Sequence, residues 1–256
     1  MPIDFNKKNV LVIGGSSGIG RGIAESFINY NANVCITGTR NSINDYEENI
    51  SKNIEKCNYQ QLDLSNHDNL KKIDLPFNNL DYLICSQGIV AYKRKEFEMD
   101  TFKKVVDLNL NSIMASCSFF QEKLSQSNGS IIIIGSGASY HSVKGNPAYS
   151  ASKGGLLTLI KTLAEAWAEN NIRVNGIAPG PTIKNKRQSD KHFKKQYLAT
   201  PLKKQVDVNE ICNAVDFFIK NSSITGQVLA IDSGQNLNWQ TPDVIGKEWK
   251  KIISKL

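Results

Sequence analysis

Tyr149 and Lys153 have side chains that could together carry out proton transfer, and they stand four residues apart in the segment YSASK. In a helix, residues at this spacing lie on one face, about 6 Å apart along the axis. The Lys153 ammonium would then favour the Tyr149 phenolate and lower a pKa that is ordinarily about 10. A tyrosine tuned in this way could act as the acid/base group for a C–OH/C=O exchange near neutral pH.

Two further polar residues could belong to the same site. Ser136 follows the apolar run SIIIIG, so it should lie at the carboxyl end of a strand, where ligands bind in open α/β sheets. From there its hydroxyl could hydrogen-bond the same substrate oxygen as Tyr149. Asn109, in VVDLNLN, could anchor a water molecule for proton relay.

A glycine-rich turn near the N-terminus predicts a binding site for a pyrophosphate. Gly14, Gly18 and Gly20 follow the first apolar run and precede a helical pattern. Glycines at such a turn let the backbone approach a pyrophosphate at the N-terminus of the next helix. Tight packing alone could also require glycines, but the position between strand and helix favours dinucleotide binding.

The residues after the second apolar run predict which dinucleotide is bound. The segment ITGTRN contains Thr39 and Arg40 and no carboxylate. A carboxylate there would accept from the 2′-hydroxyl of NAD, whereas a guanidinium can pair with the 2′-phosphate of NADP. NADP(H) is therefore favoured and NAD(H) remains possible, since Arg40 could also be an ordinary surface residue.

Strands and helices alternate along the chain, and they are the elements that must position these residues. The amphipathic stretches are 98–124 and 149–169, and the apolar β-rich runs are 9–14, 33–38, 59–64, 81–86, 130–136, 172–180 and 227–234. Apolar strands alternating with helices predict an α/β protein with a doubly wound parallel sheet in three αβα layers. No linker or repeat interrupts the pattern, so residues 1–256 are predicted to form a single domain.

Composition narrows the function classes. The chain has 256 residues, 40% of them hydrophobic, and a net charge of +7. Its lysines form no basic stripe with interleaved aromatic residues, so nucleic acid is not an expected partner. No apolar run approaches the ~18 residues of a membrane span, and the N-terminus has no signal-peptide pattern. Five scattered cysteines and three dispersed histidines predict no metal site and fit a cytoplasmic location.

With these motifs taken together, the chain resembles the short-chain dehydrogenase/reductase family from about residue 8 to residue 235. The matching features are the glycine turn at 14–20, Asp63 in LDLS, Asn109, Ser136, YSASK at 149–153, NGIAPG at 175–180 and the late segment ITGQVLAIDSG. Many motifs in the right order and spacing are far more specific than any one of them. The resemblance covers nearly the whole chain.

The resemblance implies a Rossmann-type fold and a catalytic tetrad of Asn109, Ser136, Tyr149 and Lys153. In this family the lysine also holds the nicotinamide ribose, the aspartate contacts adenine and the Pro-Gly loop shelters the nicotinamide. The implied cofactor-binding residues are Gly14, Ser16, Ser17, Gly18, Ile19, Gly20, Thr39, Arg40, Asp63, Leu64, Ser86, Gly88, Tyr149, Lys153, Pro179, Gly180 and Thr182. It further implies a small-molecule carbonyl or alcohol substrate and a homotetramer or homodimer.

Some positions depart from the family pattern. Ile13 replaces the usual threonine before the first glycine, and Cys85 and Ser86 replace asparagines that brace the central sheet. Ser17 stands where some NADP enzymes carry a basic residue. The threonine after the Pro-Gly pair is shifted to Thr182. None of these changes touches the tetrad.

Two segments would determine substrate and assembly. Residues 181–205 are polar and lysine-rich and are predicted to form a substrate lid. Lys184, Lys186 and Arg187 there could favour an anionic substrate, border the cofactor phosphates or be solvated. The C-terminal extension, 235–256, carries Trp239 and Trp249, which are candidates for subunit contacts.

Three functions fit these features. The main hypothesis is hydride transfer between NADP(H) and a carbonyl or secondary alcohol, with Tyr149 as the acid/base. A pteridine-type reductase acting on a C=N bond is one alternative. A cofactor-binding regulator without catalysis is the other.

Overall fold

The computed structural model describes residues 5–46, 54, 57–141, 143–185 and 188–237. In these residues seven parallel strands form one sheet in the order β3-β2-β1-β4-β5-β6-β7. The strands are β1 (Asn9–Ile13), β2 (Asn33–Gly38), β3 (Asn58–Gln61), β4 (Tyr82–Cys85), β5 (Ser130–Ile134), β6 (Arg173–Pro179) and β7 (Val228–Ile231). All seven lie within or next to predicted apolar runs.

Helices cover both faces of the sheet, because the central strands are apolar on both sides. Every residue of β1 and β5 is buried. The helices are α1 (Gly18–Asn29), α2 (Met99–Val106), α3 (Ser112–Phe119), α4 (Gln121–Ser125), α5 (Pro147–Ala166), α6 (Asp190–Leu198) and α7 (Val208–Lys220). Helices α3 and α5 pack on one face, and α1 and α7 on the other. The predicted three-layer, doubly wound Rossmann-type fold is confirmed.

The strand order reverses beside β1, which pairs with β2 on one side and with β4 on the other. In open α/β sheets a crevice forms outside the carboxyl ends of the strands at such a switch point, and ligands bind there. The glycine turn follows β1, and the segment with Ser86 and Gly88 follows β4. The sheet therefore brings two sequence-predicted segments to one crevice.

The predicted amphipathic stretch 98–124 is not one helix. It divides into α2, a π-helical turn over Asp107–Asn111, α3 and α4. A π-helical turn inserts an extra residue into the helical pattern and is often found at functional sites. Here it contains Asn109, whose side chain is fully buried.

The predicted lid contains more structure than its polar composition indicates. Helix α6 lies within it, and Phe193 and Thr200 are buried. Its lid role and the single-domain division stay predictions. Lys186, Arg187, Trp239 and Trp249 lie outside the described residues.

In the part of the chain that the structure describes, no helix is long and apolar enough to span a membrane. In the same residues, no three His, Cys, Asp or Glu side chains form a group that could hold a metal ion.

Candidate active site

The glycine turn has a shape that only glycine permits at two of its positions. Gly18 has a left-handed backbone with φ of +60°, and a Cβ at Gly20 would lie 2.4 Å from the carbonyl oxygen of Gly14. Helix α1 begins at Gly18 with no side-chain cap on its N-cap residue, exposed Ser17, and no acidic residue in its first turn. These features fit a pyrophosphate at the helix N-terminus. Ile19, next in the turn, packs against the apolar core.

Threonine 37 supplies the hydroxyl that Ile13 lacks. The backbone N–H of Gly14 donates to Thr37 Oγ1 at 3.2 Å, and Thr37 is buried on β2. Ser86, in the segment after β4, donates from its backbone to the Ile13 carbonyl at 2.9 Å. The departure at position 13 is therefore compensated from a neighbouring strand.

Arg40 lies at the carboxyl end of β2, next to Thr39. Thr39 and Arg40 are exposed directly after β2. The Arg40 guanidinium carbon lies 4.7 Å from the centroid of the Tyr46 ring, and the Arg40 carbonyl accepts from Tyr59 Oη at 2.5 Å. The arginine thus has a fixed backbone and an aromatic surface beneath its side chain.

Tyr46 is a residue of this region that sequence reasoning missed. Its phenol accepts from the Arg40 N–H at 3.1 Å and also hydrogen-bonds buried Ser16. Burial raises the pKa of Tyr46, but the hydrogen bonds with Ser16 and Arg40 outweigh burial and leave that pKa below its ordinary value. No spacing rule links these positions, so the sequence carried no signal for the contact.

Asp63 and Leu64 follow β3 at the same edge of the sheet. Asp63 is exposed and accepts from the Ser65 N–H at 2.9 Å. Hydrogen bonds from the Ser65 backbone and hydroxyl lower the pKa of Asp63, so this carboxyl is ionised at neutral pH. Leu64 is buried, which makes it a packing residue in this structure.

The phenol of Tyr149 meets Ser136 at the carboxyl end of β5. Tyr149 lies in the first turn of α5, and Ser136 directly follows the strand. The two side chains share a hydrogen bond. Ser136 Oγ also accepts from the Ala138 N–H at 3.1 Å, which fixes the serine beside the phenol.

The expected lowering of the Tyr149 pKa by Lys153 is not what the structure gives. Burial raises the pKa of Tyr149, the Ser136 hydrogen bond lowers it, and the nearby Tyr92 and Glu96 raise it further. The Lys153 ammonium lies 5.9 Å from the centroid of the phenol ring and donates to the Ile134 carbonyl at 3.0 Å. The expectation was wrong because burial raises the pKa of Tyr149 more than the Ser136 hydrogen bond lowers it.

Lys153 is itself perturbed by its surroundings. It is 4% exposed, and burial lowers its pKa to about 8. Its Nζ would lie 3.6 Å from a Cβ at Gly88, and Asn109 Oδ1 would lie 3.4 Å from that Cβ. Lys153, Asn109 and Gly88 are therefore neighbours.

The Asn109 side chain joins three segments. Its Oδ1 accepts from the Ile89 N–H at 2.7 Å, and its Nδ2 donates to the Ile89 carbonyl at 2.9 Å and to Ser152 Oγ at 3.2 Å. Ser152 precedes Lys153 on α5. Asn109 thus connects the π-helical turn, the segment after β4 and the helix that carries Tyr149.

The Pro-Gly loop lies at the carboxyl end of β6. Pro179 ends the strand, and Gly180 follows it. The Gly180 backbone packs so close to Asp232 that a Cβ at position 180 would lie 2.7 Å from the Asp232 Cα. Thr182 is buried and donates to the Gly180 carbonyl at 3.0 Å. Lys184 is ion-paired with Asp190 at 2.6 Å.

Glu96 is the second residue that sequence reasoning missed. Its carboxylate is fully buried and accepts from the backbone N–H of Tyr149 at 2.9 Å. In the sequence KRKEFEMD all the other residues are exposed, so no pattern indicated the burial of Glu96.

Known proteins show the same combination of fold and motifs. Residues 14–236 match the family model described as enoyl-(acyl carrier protein) reductase. The chain is 33% identical to the 3-oxoacyl-[acyl-carrier-protein] reductase FabG of Buchnera aphidicola subsp. Baizongia pistaciae, over 89% of this chain and 97% of the relative. It is 29% identical to glucose 1-dehydrogenase of Gluconobacter oxydans, over 93% of this chain and 97% of the relative.

A solved structure agrees with these relatives. FolM alternative dihydrofolate reductase 1 from Brucella suis, in complex with NADP, superposes with a TM-score of 0.79 at 28% identity, covering 92% of this chain and 98% of that chain. The family-model match at residues 14–236 spans the glycine turn, Tyr149 and the final strand. The chain therefore belongs to the short-chain dehydrogenase/reductase family and is an NAD(P)-dependent oxidoreductase.

Proposed function

We propose that this enzyme uses NADP(H) to reduce the carbonyl group of a small molecule, with Tyr149 as the acid/base. The observation that carries the proposal is the half-buried Tyr149 phenol, hydrogen-bonded with Ser136 and adjacent to Lys153 at the carboxyl ends of the strands. NADP(H), when bound, supplies or accepts the hydride. The protein supplies the proton and the geometry.

The raised pKa of Tyr149 keeps the phenol in the protonated form that carbonyl reduction requires. Because burial raises the pKa of Tyr149 above its ordinary value, the phenol is protonated at neutral pH. It can then donate to a carbonyl oxygen as negative charge develops there. Ser136 is placed to hydrogen-bond the same oxygen, and a positioned acid of this kind contributes about 10²–10⁴-fold to the rate.

Lys153 and Asn109 would support the proton transfer. The Lys153 ammonium lies 5.9 Å from the centroid of the phenol ring and would hold the nicotinamide ribose beside it. The side-chain amide of Asn109 hydrogen-bonds Ile89 and Ser152. We therefore propose that Asn109 positions α5 as well as anchoring a relay water.

The preference for NADP(H) over NAD(H) rests on the end of β2. Thr39 and Arg40 are exposed there without a neighbouring carboxylate in ITGTRN, and a guanidinium binds a phosphate through two parallel hydrogen bonds. A solved relative with 28% identity was crystallised with NADP. Asp63, held ionised after β3, would face the adenine side of the cofactor.

A 3-oxoacyl thioester is the first substrate class to test. Relatives named 3-oxoacyl-[acyl-carrier-protein] reductase are 33% and 32% identical over 89% of this chain. Their named substrate carries the ketone that the proposed acid/base pair would serve. The ion pair of Lys184 with Asp190 leaves that lysine engaged, so it adds no support for an anionic substrate.

A reduced or oxidised pterin is the second class. The observation that favours it is the likeness to FolM alternative dihydrofolate reductase 1, at 28% identity and a TM-score of 0.79. Reduction of a C=N bond would place the Tyr149 proton on nitrogen instead of oxygen.

The test is a substrate panel of acetoacetyl thioester, glucose, simple ketones and dihydropterin, followed by NADPH absorbance. Tyr149→Phe should lower kcat on the best substrate by about 10³-fold and change the NADPH dissociation constant by less than about threefold. Tyr30→Phe, which removes a phenol at the far end of α1, should behave like the unmodified enzyme.

Each outcome has a distinct meaning. Full turnover by Tyr149→Phe would contradict the acid/base role. If Tyr149→Phe lost both NADPH binding and turnover, the tyrosine would have a structural role. NADPH binding by the unmodified protein with no turnover on any substrate would favour the cofactor-binding regulator.

A further inference from the structure

Glu96 is a fully buried carboxylate with no exposed surface. It lies in a short helical turn between exposed Lys95 and Phe97. A buried charge is expensive unless hydrogen bonds compensate it. Burial of this glutamate between two exposed residues therefore requires a specific set of partners.

The partners of Glu96 are amide groups. Its Oε1 accepts from the Ala91 N–H at 2.9 Å and from Asn146 Nδ2 at 3.1 Å, and its Oε2 accepts from the Tyr149 N–H at 2.9 Å. Among the described residues, no Lys, Arg or His side chain forms an ion pair with it. The carboxylate is therefore held by hydrogen bonds from amide groups beside the helix that carries Tyr149.

The contact with Tyr149 lies at the start of α5. Helix α5 begins at Pro147, and its N-cap residue, Asn146, makes no side-chain capping bond. Tyr149 is the third residue of the helix, where the backbone N–H has no partner within the helix. Glu96 accepts from that N–H and places a negative charge at the positive end of the helix dipole.

The same carboxylate fixes the segment 89–97 against α5. Lys93 and Arg94 both have left-handed backbone, with φ of +58° and +60°, which is strained for residues with a side chain. Asn146 Nδ2 also donates to the Ala91 carbonyl at 2.8 Å. This strained segment carries Tyr92, whose phenol accepts from Asn185 Nδ2 of the lid at 2.6 Å.

We propose that Glu96 is a positioning residue, which holds the first turn of α5 and the segment 89–97 in register so that the Tyr149 phenol meets the substrate oxygen. The proposal deepens the proposed function and rests on it. Glu96 touches the tyrosine backbone and not the reacting atoms, so it acts through Tyr149.

The charge of Glu96 also affects the proton affinity of the tyrosine. The groups that bear on the phenol are Ser136 after β5, Lys153 on α5, and Tyr92 and Glu96 from the segment after β4. Burial raises the pKa of Tyr149 most, and the negative charge of Glu96 raises it further. Removing that charge should therefore lower the tyrosine pKa.

The test compares Glu96→Gln with Glu98→Gln, which removes an exposed carboxylate two residues away. The Tyr149 pKa is read by NMR from tyrosine labelled with ¹³C at Cζ, with Tyr149→Phe identifying the signal. Glu96→Gln should lower this pKa, because it removes a negative charge near the phenol, and should lower kcat by about 10- to 100-fold. Its NADPH dissociation constant should change by less than about threefold. Glu98→Gln should match the unmodified enzyme.

The NMR readout needs no substrate, so the positioning role and the proposed function fail separately. An unchanged Tyr149 pKa and kcat in Glu96→Gln would overturn the positioning role. A fully active Tyr149→Phe would overturn the proposed function instead. If Glu96→Gln does not fold, Asn146→Ala serves as a second variant. It keeps the Glu96 carboxylate but removes two hydrogen bonds to the segment 89–97. It should lower kcat and leave the Tyr149 pKa unchanged. An unmodified kcat in Asn146→Ala would overturn the proposal.

Discussion

At the scale of single residues, the choice between the two nicotinamide cofactors is proposed to rest on Arg40. Its guanidinium is exposed over the Tyr46 ring at 4.7 Å, and its carbonyl is held by Tyr59. Arg40→Gln should weaken NADPH binding by about 10- to 100-fold, because it removes a charge-assisted pair with the 2′-phosphate. NADH binding should change by less than about twofold. Fluorescence titration of both cofactors measures this.

The control for Arg40→Gln is Lys161→Gln, which removes an exposed positive charge from α5. It should leave both affinities unchanged. If Arg40→Gln weakened NADPH binding and NADH binding equally, Arg40 would support the fold of the sheet edge near β2 and would not bind the 2′-phosphate.

Which site residues could be predicted depends on how they are linked in the chain. Tyr149 and Lys153 are one helical turn apart, and Ser136 ends a strand, so local rules place them. Thr37, Tyr46 and Glu96 reach the site through contacts between distant segments, such as the Tyr149 N–H to Glu96 across 53 residues. No local pattern encodes such a contact.

At the scale of elements, α7 carries a buried acid that should make stability depend on pH. Asp216 is 8% exposed, and burial raises its pKa to about 6 from the ordinary value near 3.8. Between these values the folded chain binds more protons than the unfolded chain. The free energy of unfolding should therefore fall as pH rises from about 4 to about 6.

Asp216→Asn removes this penalty. At pH 7.5 it should raise the free energy of unfolding by about 1 kcal/mol, and the gain should shrink towards pH 4. Urea unfolding at both pH values measures the difference. Glu165→Gln, an exposed carboxylate on α5, is the control and should show no such trend. A gain for Asp216→Asn that is equal at both pH values would contradict the account.

The strands could be predicted from the sequence because each is marked by a run of apolar residues. The seven apolar runs became seven strands because both faces of the sheet are covered. The amphipathic stretch 98–124 is divided by a π-helical turn at Asp107–Asn111. That turn follows from the tertiary bonds of Asn109 to Ile89 and Ser152, which helical periodicity does not report.

At the scale of the whole molecule, assembly stays a prediction. Phe217 on α7 and Leu229 on β7 are 47% and 37% exposed, and Phe97 and Met99 are 59% and 62% exposed. Apolar groups left at the surface are common at protein–protein interfaces. They support a homodimer or homotetramer, and the candidate contacts Trp239 and Trp249 lie outside the described residues.

The central claim about the whole molecule is that the crevice beside β1 binds NADP(H) for reduction. Both halves of the sheet contribute, with Gly14–Gly20 and Arg40 on one side and Tyr149 and Lys153 on the other.

The most direct test is an equilibrium titration of the unmodified protein with NADPH and NADH, followed by nicotinamide fluorescence. The account predicts NADPH binding at least about tenfold tighter than NADH binding, a difference of about 1.4 kcal/mol. Equal or NADH-favoured binding would contradict the role of Arg40. Binding of neither cofactor would contradict the central claim itself.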